Sequence, residues 1–280
     1  MEGGNDDVEG GNDKVENGVS MGIYLFCLIP VAPLPEIAGT GIDGRHPLFV
    51  EVIGEVAAVL AEVDLDDFTG PASQENMADL AWVAPRALRH EEVVIAALEH
   101  GPVLPVRFGT VFSSLAAVAE PLRQRQDVLK RFFLDTADKQ EWTLKGYVNL
   151  PQARAQMTAA RLAAEKEQLA ELTPGKRYFL EQRIKGAVDK DVAAWLKETS
   201  RAILTGARKE AVGFSECRLQ SREVTGRDEE MFFHGALLVP DGSVAALVGM
   251  TDAWNTRQEA QGLQIELSGP WPPYHFAPAF

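Results

Sequence analysis

Six residues, Gly39-Thr40-Gly41-Ile42-Asp43-Gly44, have the glycine spacing of a dinucleotide-binding turn. Such a turn needs a strand before it and a helix after it, because the helix N-terminus carries the pyrophosphate. Here Pro30, Pro33 and Pro35 precede the glycines and Arg45-His46-Pro47 follows, so no helix can start where it is needed. No G-x-x-x-x-G-K-[ST] loop occurs in the chain. His90-Glu91-Glu92-Val93-Val94 opens like a zinc-protease helix but carries Val94 where the second histidine must stand. His90 and His100 are too far apart for adjacent turns of one face, and His46, His234 and His275 show no ligand spacing. They read as capping or surface histidines. Ser113 and Ser114 lack the G-x-S-x-G elbow. Cys27 and Cys217 lie in β-type runs and read as small core hydrophobes, since a reactive thiol needs exposure and a nearby base. The adjacent carboxylates Asp66-Asp67 and Glu229-Glu230 point to opposite sides of any regular element and read as turn and surface charge. The residue types imply no catalytic residue, no cofactor and no metal site, and hence no enzyme.

The remaining chemistry is that of surfaces. The chain has 280 residues, enough for about two domains. Its net charge of −14 speaks against nucleic acid as a partner. Two cysteines exclude a disulfide framework. Residues 1–20 repeat EGGND imperfectly, are acidic and almost free of apolar side chains, and predict a disordered tail, with Met21 as the start of the folded part. They have neither the basic start nor the apolar core of a secretory signal. No run approaches 18 uncharged apolar residues, so membrane insertion is not expected and a cytoplasmic location is. Only residues 151–210 are basic, with 12 Lys and Arg against 8 Asp and Glu.

Periodicity supplies the elements. Ile23–Ile29 reads as a strand, and Leu48–Val63 as a strand whose alanine-rich continuation fits a second strand or a helix. Asn76–Val83 and Pro85–His100 read as helices and Val103–Phe108 as a strand. Ser113-Ser114 can cap a helix over Leu115–Val118, with Pro121 opening another through Leu134. The pattern relaxes over Asp135–Gln140, which marks a domain boundary. Trp142–Val148 alternates like a strand, and 152–171 form a charged, alanine-rich helix. Thr173-Pro174-Gly175 breaks it before a long helix striped by Leu180, Ile184, Val188, Val192, Leu196 and Ile203. Strands over Ser215–Leu219 and Met231–Leu238, a helix over Ser243–Gln261 and a strand over Leu263–Leu267 follow. Setting aside one helix, the order is β-α-β-β-α-β, the ferredoxin-like order. The expected fold is α+β with two domains: an N-terminal α+β domain over 21–138, a modified ferredoxin-like domain with a long helical hairpin over 139–268, and an extended tail over 269–280.

Two proline-bounded apolar stretches stand out as a candidate partner or interdomain surface. The first, around Pro102, Leu104, Pro105, Arg107 and Phe108, puts two prolines inside a β run and must form a sheet edge or corner. The second, Gly269-Pro270-Trp271-Pro272-Pro273-Tyr274-His275-Phe276, is stiff and extended. Its Trp271, Tyr274 and Phe276 are expected to fill a groove.

With these stretches the sequence resembles the gas vesicle protein F and L family. The resemblance rests on Phe68-Thr69-Gly70 with Asn76, on His90-Glu91-Glu92-Val93-Val94, and on Val103-Leu104-Pro105-Val106-Arg107-Phe108-Gly109-Thr110-Val111-Phe112. Glu141-Trp142-Thr143-Leu144-Lys145-Gly146-Tyr147-Val148 and the Gly269–Phe276 stretch complete it. It implies a non-enzymatic protein of two domains, the second ferredoxin-like, that serves as a minor component or assembly factor of gas vesicles. The implied partners are the small amphipathic shell protein and other accessory proteins, and the implied location is with the vesicles. The alternative, by fold analogy, is a small-molecule-sensing module with a ferredoxin-like domain. A hydrolase whose site assembles from distant residues is a third.

Overall fold

The apolar run Ile23–Ile29 forms the middle of strand β2 (Val19–Pro30), onto which the two-residue strand β1 (Val15–Glu16) pairs back. The computed structural model describes residues 15–16, 19–32 and 34–278. Of the tail expected over 1–20, only these paired residues are described, and the rest lies outside the described residues. The chain divides into two compact units, Met1–Ala137 with Ala277–Phe280, and Asp138–Phe276.

In the first unit Leu48–Val63 is a hairpin of β3 (Leu48–Ile53) and β4 (Val56–Asp64). Gly54 turns it with φ of 67°, a conformation that side chains disfavour. The Gln126 amide clasps the turn, accepting from Glu55 N–H at 2.6 Å and donating to the Ile53 carbonyl at 3.2 Å. This settles the ambiguous continuation. β4 lies between β2 and β3 and is buried on both faces, with Ala57, Ala58 and Ala61 fully buried. Alternate residues serve two cores, with Val56, Ala58 and Leu60 on one face and Ala57, Val59 and Val63 on the other.

Helices α1 (Asp66–Thr69), α2 (Ser73–Ala78) and α3 (Leu80–Leu98) follow. The break falls at Asp79, not near Pro85, because the Asp79 carboxylate caps α3 by accepting from Ala81 N–H at 2.9 Å. Pro85 sits inside α3 and forfeits a single helical bond. Next come the two-residue strands β5 (Leu104–Pro105) and β6 (Val111–Phe112), then α4 (Leu115–Gln124) and α5 (Gln126–Thr136). Ser114 caps α4 through Ala117 N–H at 3.2 Å. Pro121 is tolerated inside α4, whose Val118, Ala119 and Leu122 are anchored in the core, and the break comes at Arg125. Leu122, Leu129, Phe132 and Phe133 cover one sheet face, and Phe68, Val93, Val94 and Ala97 belong to the core on the other.

The second unit contains β7 (Lys139–Val148), α6 (Leu150–Ala164), α7 (Lys166–Glu171), α8 (Pro174–Ala207) and β8 (Gly213–Glu216). It continues through α9 (Arg222–Thr225), β9 (Glu230–Pro240), α10 (Val244–Gln258) and β10 (Leu263–Trp271). The sheet is antiparallel with strand order β10-β7-β9-β8, the ferredoxin-like arrangement once α9 is set aside. The single helix expected over 152–171 is two, broken at Glu165. Pro174 starts α8, as its fixed φ and missing donor suit. Ile184, Val188 and Val192 are buried along α8, while Ile203 and Ala207 join Leu144, Leu237 and Leu247 in the sheet core. β10 passes its expected end at Leu267 through a bulge between Ser268 and Trp271. As an edge strand it can accept Pro270.

Candidate functional site

The proline-bounded strip of the first unit pairs with β2, through Leu28↔Leu104 and Cys27↔Pro105, then Tyr24↔Val111 and Ile23↔Phe112. The expected continuous strand is interrupted over 106–110. Leu104 and Pro105 are buried, Pro102 and Phe108 half-buried, and Arg107 exposed. The interruption is held by His90. Its Nε2 lies 3.0 Å from the Val106 carbonyl, which can only accept, so Nε2 carries the hydrogen. Nδ1 then accepts from the Tyr24 hydroxyl at 2.9 Å, and that hydroxyl accepts from Gly109 N–H at 3.0 Å. Burial pushes His90 down to about 4, the Val106 bond opposing only in part. The imidazole is therefore a neutral buckle. Its ring stacks on Phe26 with centroids 5.6 Å apart.

The glycine turn also serves structure. Asp43 Oδ1 accepts from Arg45 N–H and His46 N–H at 2.9 and 3.1 Å, and no helix follows. Gly41 is required by close approach, since a Cβ there would stand 2.4 Å from that of Ala61.

In the second unit the C-terminal stretch folds over the sheet face opposite α8 and α10. Trp142 and Leu144 pack in the core on the helix side, so Glu141 faces the other way, paired with Leu238 and Trp271. Glu141 is nevertheless 2% exposed. It accepts from His275 twice, from the backbone N–H at 3.0 Å and from Nδ1 at 2.6 Å. The Glu141 bond raises His275 above the usual imidazole range against the opposing effect of burial. Phe276 lies over Gly213, where a Cβ would meet its ring at 2.8 Å. Trp271 remains 39% exposed and Tyr274 half-buried. His275 Nε2 stands 3.4 Å from Cys217 Sγ. Cys217 is thus not a core hydrophobe: it leaves the end of β8 part-exposed beside an imidazole. No spacing rule connects residues 141, 217 and 275, which only the strand order and the returning tail bring together.

The tip of the α7–α8 hairpin presents an exposed aromatic pair. Tyr178 and Phe179 are 58% and 74% exposed with ring centroids 6.0 Å apart, near the exposed Lys176, Arg183 and Lys185. Near α10 an open cleft of about 540 Å³ is lined mainly by polar side chains, among them Asn149, Gln152, Glu229 and Asn255. Among the described residues no group of His, Cys, Asp and Glu is placed to hold a metal ion. None of the described helices is long and apolar enough to cross a membrane.

Residues 22–278 match the family model described as "Gas vesicle synthesis protein GvpL/GvpF". The chain is 27% identical over 246 residues to gas vesicle protein L of a Streptomyces species, covering 87% of each chain. It is 27% identical over 276 residues to gas vesicle protein L1 of Halobacterium salinarum, covering 93% of this chain and 92% of that one. In fold it is similar to the crystal structure of gas vesicle protein GvpF from Anabaena, with a TM-score of 0.66 at 19% identity over 93% of this chain and 98% of that one. GvpF from Microcystis aeruginosa gives 0.64 at 20% identity, over 92% and 99%.

Proposed function

Because this chain belongs to the GvpL/GvpF family of gas vesicle synthesis proteins, we propose that it is a minor structural component or assembly factor of gas vesicles. In this role it binds the small shell protein or other accessory proteins and turns over no substrate. It works in the cytoplasm, where it accompanies the vesicles. The observation that supports this reading is the hairpin tip, where Tyr178 and Phe179 stay in water beside basic side chains. Aromatic and arginine side chains dominate the energetics of protein interfaces, and each large ring can bury 150–250 Å². The basic stretch 151–210 on an otherwise acidic chain suits an amphipathic or acidic partner.

Co-expression with the shell protein tests the reading. The tagged chain should retain it on purification, and a Tyr178→Ser/Phe179→Ser variant should release it at an unchanged melting temperature. A strain lacking the gene should make absent or misshapen vesicles, and normal buoyant ones would defeat the proposal. A second reading, a small-molecule sensor, rests on the polar cleft beside α10. A thermal-shift screen against nucleotides and metabolites separates it, since a ligand at 100 times its Kd adds about 2.7 kcal/mol.

A further inference from the structure

Glu141, His275 and Cys217 form a linear relay. Glu141 is buried, holds His275 by two bonds and fixes the hydrogen on Nδ1, because a carboxylate accepts. Above the raised value of His275 the ring is neutral, and Nε2 is then the acceptor that faces Cys217 Sγ at 3.4 Å. A nucleophile beside a base that a third group orients is the arrangement that activates thiols and hydroxyls. The chain carries its own contrast. Cys27 is fully buried in β2, and burial alone pushes its thiol far up.

We propose that Cys217 is a modification site: a thiol that exchanges with small-molecule disulfides, with His275 as its base and Glu141 as the residue that positions His275. Burial raises the Cys217 thiol, and the Glu141 and Glu216 carboxylates add to this against the Ala236 backbone and Lys145, so the resting group is S–H and needs a base. In the exchange Sγ attacks one sulfur of the disulfide while its proton passes to Nε2 of His275. The new bond joins Sγ to that sulfur, the reagent's S–S bond breaks, and the departing thiolate takes the electron pair and then the proton. One disulfide is consumed and one formed, and the reagent is the oxidant.

The test uses the full native chain and dithiobis-nitrobenzoate as the disulfide. One equivalent of thiolate should be released rapidly, with peptide mass placing the adduct on Cys217, and Cys27 should react only after denaturation. Cys217→Ser should abolish the fast phase and Cys27→Ala should keep it. His275→Gln, which preserves an amide toward Glu141, should slow the exchange at least tenfold in a chain that stays folded at the assay temperature. Glu141→Gln should slow it too and displace the midpoint of its pH–rate profile. A wild-type rate in His275→Gln, or a Cys217 that stays silent until unfolding, would overturn the proposal. Should either variant fold poorly, the reference is an exposed thiol introduced as Leu134→Cys, at a position 69% exposed. Cys217 must then react at least as fast as that freer thiol, and a slower rate refutes the relay.

Discussion

Acidification should weaken the first unit through His90 by an amount the structure sets. The folded ring titrates at about 4 and the unfolded one at about 6.5. Between these values the unfolded chain binds a proton that the folded chain refuses, so stability falls as pH falls. The full loss is about 3 kcal/mol, of which about 2 kcal/mol falls between pH 7 and pH 4.5. Other titrating groups act in the same range, so the measurement is a difference between wild type and His90→Leu. At pH 7 the variant strands the Tyr24 hydroxyl proton and the Val106 carbonyl in a buried site, at about 1–3 kcal/mol each. At pH 4.5 that gap should narrow by about 2 kcal/mol, because only the wild type still carries the protonation penalty. Urea unfolding at both pH values, read by pulsed amide exchange in the β2 peptide, isolates this unit. An equal gap at both would refute the neutral buckle, as would a ring signal titrating near 6.5 in the folded protein.

Cutting the chain after Ser268 removes Phe276 from Gly213 and both His275 hydrogen bonds from Glu141. The expected cost is about 2 kcal/mol or more, and an unchanged melting curve would contradict the packing. Gly41→Ala should cost about 1–3 kcal/mol because its Cβ meets that of Ala61, whereas Gly44→Ala, with open space at φ of 71°, should cost about 1 kcal/mol; urea midpoints compare them. His275 gains stability from Glu141 that is complete below the ordinary imidazole value and disappears as pH rises through its raised folded value. The advantage of wild type over His275→Gln should therefore shrink from pH 6 to pH 9 in thermal melts. Removing residues 1–20 takes away the β1 pairing and the Ser20 carbonyl that accepts from Leu65 N–H at 2.8 Å, which should cost about 1 kcal/mol in the melt.

The α+β architecture was legible because β2, β7, β9 and α8 carry strong apolar periodicity bounded by prolines and turn residues. Pro85 and Pro121 looked like helix starts, yet each removes a single hydrogen bond, which a buried helix face tolerates; the real breaks follow Asp79 as a cap and Arg125. The 103–108 run looked like one strand because sequence shows neither the Tyr24 hydroxyl nor the His90 ring that pulls Val106 and Gly109 together. His90 was visible as a motif residue, but its role depends on Tyr24, 66 positions earlier. The Glu141–His275–Cys217 relay lay beyond reach for the same reason: its members are ordinary one by one, and their meeting follows from strand order.

Helix α8 has 34 residues and so runs about 51 Å. Ile203 is fixed in the sheet core, and Phe179 stands about 36 Å away along the same axis. The packing of Ile184, Val188 and Val192 and the Arg154–Asp189 pair at 2.6 Å stiffen the span between them. Such a boom turns a small force at its tip into a large torque on the sheet at its root. On the proposed reading, a body gripped by Tyr178 and Phe179 would be held at a standoff set by helical rise, a gauge written in the number of residues between the two ends of the helix.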